Sequence, residues 1–450
     1  MKHFDLSPWF DLTHHRSMLG LFIPLSSALS NFGGTRKLSI QKGLKTINLR
    51  LLFIGYLLVI IGLFLYSFTQ VDLNLTLSRW WGEQVFQKFF QNIGYFQRPL
   101  SSFFYIAIVL LLYIFYFLFL HLAKIGKIRE IREVWKLIIL TTIILAFSYN
   151  AFSYDLFNYI FDAKIVTHYD QNPYLHKALD YPGDPMLSFM HSTHRPYPYG
   201  PTWLGLTVPL SFLGFNIFLF TLYLFKALIA ASFLGTVYFI GKIIKKISPQ
   251  KEIFGMIFFA MNPLVIIESL VSAHNDIVMI FLSLCSLYLL MNRNYTRSFI
   301  LLILSIGIKF ATILLLPVFI YIAIKQFRNQ AIDFKRVFMV IFILMCAAVA
   351  ITSFASGTNK NTELQPWYFL MAIPFAALIA QKRIAVLLTI CISFGILVSY
   401  IPFLLTGEWP KDIVELKIKL LIFSISIGIF LFLLSSKRVY SALKRILSSV

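Results

Sequence analysis

The sequence predicts an all-α, polytopic integral membrane protein with about 12 (11–13) transmembrane helices and an external loop that carries an interfacial helix. Hydrophobic residues make up 58% of the chain and charged residues only 13%, and a water-soluble protein could not bury so large an apolar fraction. Separate apolar runs of about 14 to 25 residues have the length of spanning or half-spanning helices. They lack the alternation of an outer-membrane barrel, so helices are the predicted form.

Charge predicts how the chain is threaded through the membrane. The 40 Lys and Arg residues outnumber the 19 Asp and Glu residues, which gives a net charge of +21. In a soluble protein this excess would suggest nucleic acid, but here basic clusters separate the apolar runs, which indicates cytoplasmic loops and no nucleic-acid partner. The predicted spans lie near 51–69, 101–121, 136–152, 216–240, 252–267, 277–291, 298–309, 310–324, 337–353, 367–380, 384–402 and 418–434, with both chain ends inside.

Three segments follow from this topology. Residues 1–50 form a cytoplasmic N-terminal segment, 51–434 a single transmembrane domain, and 435–450 a basic cytoplasmic tail. The domain contains a large external loop at 153–198. Residues 199–214 are apolar but contain two prolines, so the sequence predicts a kinked or re-entrant piece there and leaves the choice open.

The external loop opens with SYDLFNYIFDAKIVTHYDQNPY, residues 153–174. In a helix, Asp155, Tyr159 and Asp162 share one face, because they stand four and seven residues apart. The opposite face is apolar and consists of Phe157, Ile160, Phe161 and Ile165. This pattern predicts a helix at the membrane surface that presents two carboxylates to the outside. The structural alternative is that Asp155 caps the helix and Asp162 pairs with a nearby Lys or Arg.

The same loop supplies candidate sugar and phosphate ligands. It holds four of the nine histidines of the chain, including the pair in HSTH at 191–194. That pair lacks a cysteine or a third ligand, so no metal site is predicted. The candidate substrate-binding residues of this region are Tyr159, Tyr174 in NPY, His194, Arg195, and Tyr199 in YGPTW.

A second motif, NPLVIIESLVSAHND, occupies residues 262–276 and precedes an apolar run. His274 and Asp276 are candidates for substrate binding, because a helix N-terminus beside a histidine can hold an anion. The structural alternative is that Asn275 or Asp276 simply caps the helix. Glu268 lies close to the hydrocarbon and is costly unless it is paired or functional.

Two further motifs complete the candidate site. Lys309 in GIKF lies between two short apolar runs, where a cation could bind a lipid-linked phosphate; the alternative is a lysine that extends to the membrane surface. Gln365, Trp367 and Tyr368 belong to NKNTELQPWYF at 359–369. The rings of Trp367 and Tyr368 suit stacking on a sugar. The alternative is that they only anchor the chain at the membrane interface, where Trp and Tyr are common.

All these groups fall on one predicted side of the membrane and together favour sugar transfer from a lipid phosphate. A carboxylate would take the proton of an acceptor hydroxyl as that oxygen attacks the anomeric carbon. Positive charge would stabilise the departing phosphate. Direct displacement of this kind inverts the anomeric configuration.

These motifs also resemble a known family. The strings SYDLFNY, NPY, YGPTW, NPL, AHND, GIKF and QPWYF, which span about residues 140 to 375, are similar to those of the polyprenol-phosphate-mannose-dependent mannosyltransferases of glycosyltransferase superfamily C. The resemblance implies that an acidic residue of the first external loop is the catalytic base, which is Asp155 here, with Asp162 as the fallback. It also implies a polyprenyl monophosphosugar donor and no nucleotide-sugar site.

The sequence therefore predicts an inverting, multi-pass glycosyltransferase of the cytoplasmic membrane, with its active site on the extracytoplasmic side. It would move a hexose, with mannose as the first choice, from a polyprenyl-phosphate donor to a glycan or glycolipid acceptor. Membrane lipid is the remaining partner, and no cofactor is predicted. The alternative is a transporter or flippase of lipid-linked glycans, although repeated halves and mid-bilayer polar groups, which are typical of transporters, are missing.

Overall fold

A computed structural model describes residues 48–77, 79–355 and 364–435. Within these ranges the regular elements are all helices, apart from one isolated bridge between Lys177 and Pro196. The chain divides into two compact units, Met1–Ile54 and Gly55–Val450. Only residues 48–54 of the first unit are described. The all-α prediction is confirmed for the described residues, whereas most of the predicted segments 1–50 and 435–450 lies outside them.

Within the part of the chain that the structure describes, four helices precede the large loop. They are α1 (Leu49–Ser67), α2 (Trp81–Gln91), α3 (Arg98–Lys124) and α4 (Ile131–Ala146). Helix α3 is apolar nearly throughout, and inside a bilayer a helix is the form that satisfies every backbone N–H and C=O. Helix α2 has a polar face and did not figure among the predicted spans.

Six helices follow in the loop and the centre of the chain. They are α5 (Asp155–Thr167), α6 (Pro201–Leu213), α7 (Phe218–Ile247), α8 (Glu252–Ala260), α9 (Pro263–Ile266) and α10 (Asp276–Met291). A π-helical turn, Ile267–Val271, continues α9. Every residue from 255 to 280 is buried, so this stretch is a central part of the protein core.

Seven helices complete the described chain. They are α11 (Tyr295–Ile306), α12 (Leu316–Phe327), α13 (Phe334–Ala355), α14 (Ile373–Leu378), α15 (Arg383–Val398), α16 (Ile401–Thr406) and α17 (Ile413–Leu434). Short 3₁₀ helices, Phe310–Leu315 and Pro366–Met371, lead into α12 and α14.

The structure does not confirm the predicted count of about 12 spans. Among the described residues, seven helical segments are long and apolar enough to cross a membrane, and a pair bent by 57° at 249–271 would make eight. The predicted spans 277–291, 298–309 and 367–380 fall instead on apolar helices of 10 to 17 residues. Apolar composition alone does not separate a helix buried in protein from one that crosses lipid, and α10 shows this because most of its side chains contact protein.

Residues 199–214 form one helix, α6, which begins at Pro201 and includes Pro209. Its 13 residues are fewer than the roughly 20 that a full crossing needs. The N–H of Gly200 donates to the C=O of Ile308 (3.1 Å), and the N–H of Thr202 donates to the C=O of Gly307 (2.9 Å). These bonds fix the start of α6 against the segment that carries the GIKF motif.

The predicted helix of the external loop exists as α5, but the expectation that it lies on lipid with one apolar face is wrong. Phe157 packs against the rings of Phe189 and Phe218, at centroid distances of 5.2 and 5.9 Å. Tyr159, on the other face, packs against Tyr199 and Trp203. Protein therefore covers both faces, since the loop folds back over the helix.

Candidate active site

Asp155 begins α5 and points into the protein. Its carboxylate Oδ2 lies 3.6 Å from Nδ1 of His274, and 17% of its side chain is exposed. The N-cap position of the helix is Tyr154, and no side chain makes a capping bond there. The capping alternative for Asp155 is therefore wrong.

His274 lies between two carboxylates. Its Nδ1 faces Asp155, and its Nε2 lies 3.4 Å from Oε2 of Glu268. Burial lowers the pKa of His274, but the adjacent carboxylates of Asp155 and Glu268 outweigh that effect and leave the pKa above its usual value. The histidine is fully buried, and its ring stacks on Trp367 at 4.1 Å with an interplanar angle of 18°.

The chain reaches this position through an irregular turn. The N–H of His274 donates to the C=O of Glu268 (3.1 Å) directly after the π-helical turn, and Ala273 adopts a positive φ of 58°. Such π-turns are frequent at functional sites. The turn brings two residues of one motif, His274 and Glu268, into contact with each other.

Glu268 is fully buried but not alone. The hydroxyl of Tyr400 donates to its Oε1 at 2.9 Å, and His274 faces its other oxygen. The sequence marked this acid as costly unless paired or functional, and the structure pairs it. Tyr400 was not among the predicted site residues, because the sequence around a single tyrosine in an apolar run does not indicate which residue it contacts.

The electrostatic surroundings favour an ionised Asp155. Burial raises the pKa of this carboxyl, but the adjacent His274, followed by the charges of Lys309 and Arg195, outweighs that effect. The net pKa lies below the ordinary value, so Asp155 is an anion at neutral pH and can accept a proton.

Lys309 and Asp276 form a close ion pair. Nζ of Lys309 lies 2.6 Å from Oδ2 of Asp276, and the two side chains are 17% and 0% exposed. Asp276 begins α10, and the N-cap residue Asn275 makes no side-chain capping bond. Asn275 therefore occupies the N-cap position, as the alternative expected, but its side chain makes no capping bond, and Asp276 is not the cap. The surface alternative for Lys309 is also wrong, because its ammonium group is held inside the protein.

Gly200 allows the backbone contact that places the ring of Tyr199 beside Lys309. A Cβ atom on Gly200 would stand 2.2 Å from the carbonyl oxygen of Gly307, so only glycine allows this backbone contact. The neighbouring residue Tyr199 then presents its ring to Nζ of Lys309, 5.5 Å from the ring centroid. Tyr174, which is exposed, donates its hydroxyl to the C=O of Tyr199 at 3.3 Å.

Asp162 differs from Asp155 in its surroundings. Burial, and then the charge of Asp155, raise its pKa to about 8 despite the opposing charge of Arg195. Among the described residues Asp162 has no ion pair within 4.0 Å, so the predicted pairing with Lys or Arg is not observed. A carboxyl that is mostly protonated at neutral pH is a weaker candidate for the base than Asp155.

The loop histidines do not join the two carboxylates. His194 and Arg195 are exposed, and Arg195 acts on Asp155 and Asp162 through its charge. His191 stacks on Tyr154 at 3.7 Å. Among the described residues no group of three or more His, Cys, Asp or Glu side chains is arranged to hold a metal ion.

The motif at 359–369 contributes one direct neighbour of His274. Trp367 covers His274, and Tyr368 contacts Trp367 edge to face at 5.8 Å. Gln365 accepts a hydrogen bond from Nζ of Lys417 at 3.0 Å, a partner that the sequence did not predict. Residues 359–363 of this motif lie outside the described residues.

Comparison with known proteins adds one match. A family model described as alpha-(1->6)-mannopyranosyltransferase, N-terminal domain, matches residues 50–325, which is more than half of the chain. The match includes the segments that carry Asp155, His274 and Lys309. No curated protein matches the chain, and no solved structure matches it.

Proposed function

The chain belongs to the alpha-(1->6)-mannopyranosyltransferase family, and from this premise we propose the donor, the base and the membrane face of its reaction. Family membership makes the protein a membrane-bound mannosyltransferase and disfavours the transporter alternative. The donor we propose is a polyprenyl-phosphate mannose, and the acceptor is a hydroxyl group of a glycan or glycolipid on the extracytoplasmic side.

The proposal rests chiefly on the contact between Asp155 and His274. A buried carboxylate is a useful base only if it remains ionised, and the adjacent histidine and the nearby cations favour that state. Asp155 takes the proton from the acceptor hydroxyl while the acceptor oxygen forms a bond to the anomeric carbon of mannose. The bond from that carbon to the phosphate oxygen breaks, and the electron pair leaves with polyprenyl phosphate. The anomeric configuration is inverted.

Lys309 and Arg195 are the proposed partners of the phosphate. Both cations act on Asp155 through their charge, so both lie near the reacting carboxylate. Negative charge develops on the leaving phosphate in the transition state, where a fixed cation stabilises it most. The rings of Tyr199 and Trp367 are proposed to pack against sugar.

The direction of the helices supports an extracytoplasmic site. Helix α15 begins at Arg383, next to Lys382, and ends at Val398, two residues before Tyr400. Tyr400 bonds to Glu268 at the site, so the basic loop and the site lie at opposite ends of this helix. Basic loops face the cytoplasm in most membrane proteins.

The test is a transfer assay with purified Asp155→Asn protein, polyprenyl-phosphate mannose and a panel of glycan and glycolipid acceptors, in which release of polyprenyl phosphate is measured. We expect a loss of at least about 100-fold in kcat, the usual contribution of a general base. Asp162→Asn is the matched control on the same helix, and it should retain most activity because that carboxyl is largely protonated. Full activity of Asp155→Asn, or transfer from a nucleotide sugar but not from the lipid donor, would refute the proposal.

A further inference from the structure

A basic cavity opens at the end of the helices opposite the candidate active site. It has a volume of about 520 Å³ and is lined by Asp333, Lys335, Arg336, Met339, Gln381 and Lys382. The residues come from the starts of α13 and α15, two helices that the chain reaches through separate loops. This cavity plays no part in the proposed reaction.

The cavity carries an excess of positive charge, because three cationic side chains and only one carboxylate line it. Arg336 pairs with Asp333, its Nε lying 3.2 Å from Oδ2. Among the described residues, Lys335 and Lys382 have no acidic partner within 4.0 Å, and both side chains are exposed. The backbone N–H groups of Lys335 and Arg336 donate to Oδ1 of Asp333 at 3.0 and 3.3 Å, so the positive charge of the cavity comes from its cationic side chains. A ligand of this cavity must therefore carry negative charge.

Apolar surface adjoins the charged wall. A narrow cleft of about 20 Å³ shares Lys335 and Gln381 with the cavity and is otherwise lined largely by apolar side chains. Along α13, Val340 and Ile343 follow Arg336 at four and seven residues, so the three share one face. Val340 and Ile343 are 46% and 57% exposed, and they continue from the cavity as a strip of hydrocarbon surface.

We propose that this cavity is a binding site for an anionic phospholipid of the cytoplasmic leaflet. The phosphate of the headgroup lies between Lys335, Arg336 and Lys382, and the acyl chains lie along Val340 and Ile343. Basic pockets between membrane helices on the cytoplasmic side have this recognition chemistry. A free phosphate would use the charged wall but not the apolar strip.

The termini of the chain do not suit the same cavity. Both terminal segments outside the described residues, 1–47 and 436–450, contain more Lys and Arg than Asp and Glu. A net positive segment is repelled by a positive cavity. Charge complementarity therefore favours the lipid headgroup as the occupant.

The site also lies at a position from which binding can affect the whole domain. Helix α15 has 16 residues and so extends about 24 Å from the cavity towards Tyr400. A lipid that joins the starts of α13 and α15 binds the folded protein and not the unfolded chain, so it should raise the stability of the folded form.

The test measures thermal unfolding of the delipidated full-length protein in detergent, with short-chain phosphatidylglycerol, short-chain phosphatidylcholine or inorganic phosphate added. We expect saturable stabilisation by phosphatidylglycerol only. The double variant Lys335→Ala, Lys382→Ala should bind phosphatidylglycerol at least about tenfold more weakly, since each cation near an anionic headgroup contributes about 1 kcal/mol or about fivefold. Both lysines are exposed, so the variant should fold.

The matched control is Lys124→Ala, Arg132→Ala, which removes the same charge from another basic cluster on the same predicted face. It should bind the lipid like the wild type. If both double variants bind phosphatidylglycerol equally weakly, general surface charge and not a defined site explains the binding, and the proposal is overturned. The absence of any stabilisation of the wild type by phosphatidylglycerol would also overturn it. Equal stabilisation by inorganic phosphate would indicate a free-anion site instead. If the double variant does not fold, Lys382→Glu alone must weaken binding.

Because the readout is stability and not mannosyl transfer, the result is independent of the proposed reaction. An inactive preparation can still show the lipid site, and an active one can lack it.

Discussion

Removal of one hydroxyl group, in Tyr400→Phe, tests how much the hydrogen bond between Tyr400 and Glu268 stabilises the folded protein. This hydroxyl donates at 2.9 Å to a fully buried carboxylate. A hydrogen bond to a charged group contributes about 2 kcal/mol and a neutral one about 1 kcal/mol. We therefore expect Tyr400→Phe to lower the free energy of unfolding by about 2 kcal/mol.

Tyr105→Phe is a matched control within the same protein. Tyr105 is also buried, and its hydroxyl donates at 2.8 Å to the neutral backbone carbonyl of Leu397. Each variant loses a single oxygen and leaves one buried acceptor without this donor. The expected loss for Tyr105→Phe is about 1 kcal/mol, so the two variants should differ by about 1 kcal/mol.

The assay is unfolding of the purified protein by increasing SDS in mixed micelles, followed by circular dichroism. A larger loss for Tyr400→Phe supports a hydrogen bond to the side chain of Glu268 that is stronger than the bond of Tyr105 to a backbone carbonyl. Equal losses would refute the reasoning that Tyr400 makes the stronger of the two hydrogen bonds.

Two further predictions concern the site itself. His274→Asn removes a neighbour that lowers the pKa of Asp155, so burial should then raise that pKa. Because a base is protonated and lost as pH falls through its pKa, the acid limb of the kcat/KM profile should move to higher pH. An acid limb that stays in place would refute the coupling between the two residues. Gly200→Ala places a Cβ atom 2.2 Å from the carbonyl oxygen of Gly307, and this clash should displace Tyr199 from Lys309. The KM for the donor should then rise by about tenfold, or about 1.4 kcal/mol. Gly205→Ala on the same helix is its control, because no atom lies within 4 Å of the added Cβ, and an equal KM change in both variants would contradict the explanation.

Much of the candidate site could be predicted because its residues break the surrounding pattern. Asp155, His274 and Lys309 are polar groups beside long apolar runs, where burial without a partner is costly. Glu268 gave the same signal. Their residue types alone indicated acid–base chemistry and phosphate binding, and the resemblance of their motifs indicated the mannosyltransferase family, which the family match confirms.

The partners of these residues could not be predicted in the same way. Tyr400 and Glu268 are 132 residues apart, and Lys417 and Gln365 are 52 apart. Spacing along a helix predicts neighbours within a few turns but not contacts between distant helices. The opposite pKa shifts of Asp155 and Asp162, on one face of α5, could not be predicted for the same reason, since these shifts depend on neighbours from other parts of the chain.

The sequence by itself determined that the protein is helical, lies in a membrane and belongs to a mannosyltransferase family, because composition and short motifs are local properties of the chain. Only the tertiary structure decided that α5 is enclosed by protein, that His274 lies between two carboxylates, and that several apolar runs form short helices. Lipid and a protein core both accept apolar side chains, so hydrophobicity does not distinguish between them, and the packing of distant helices does.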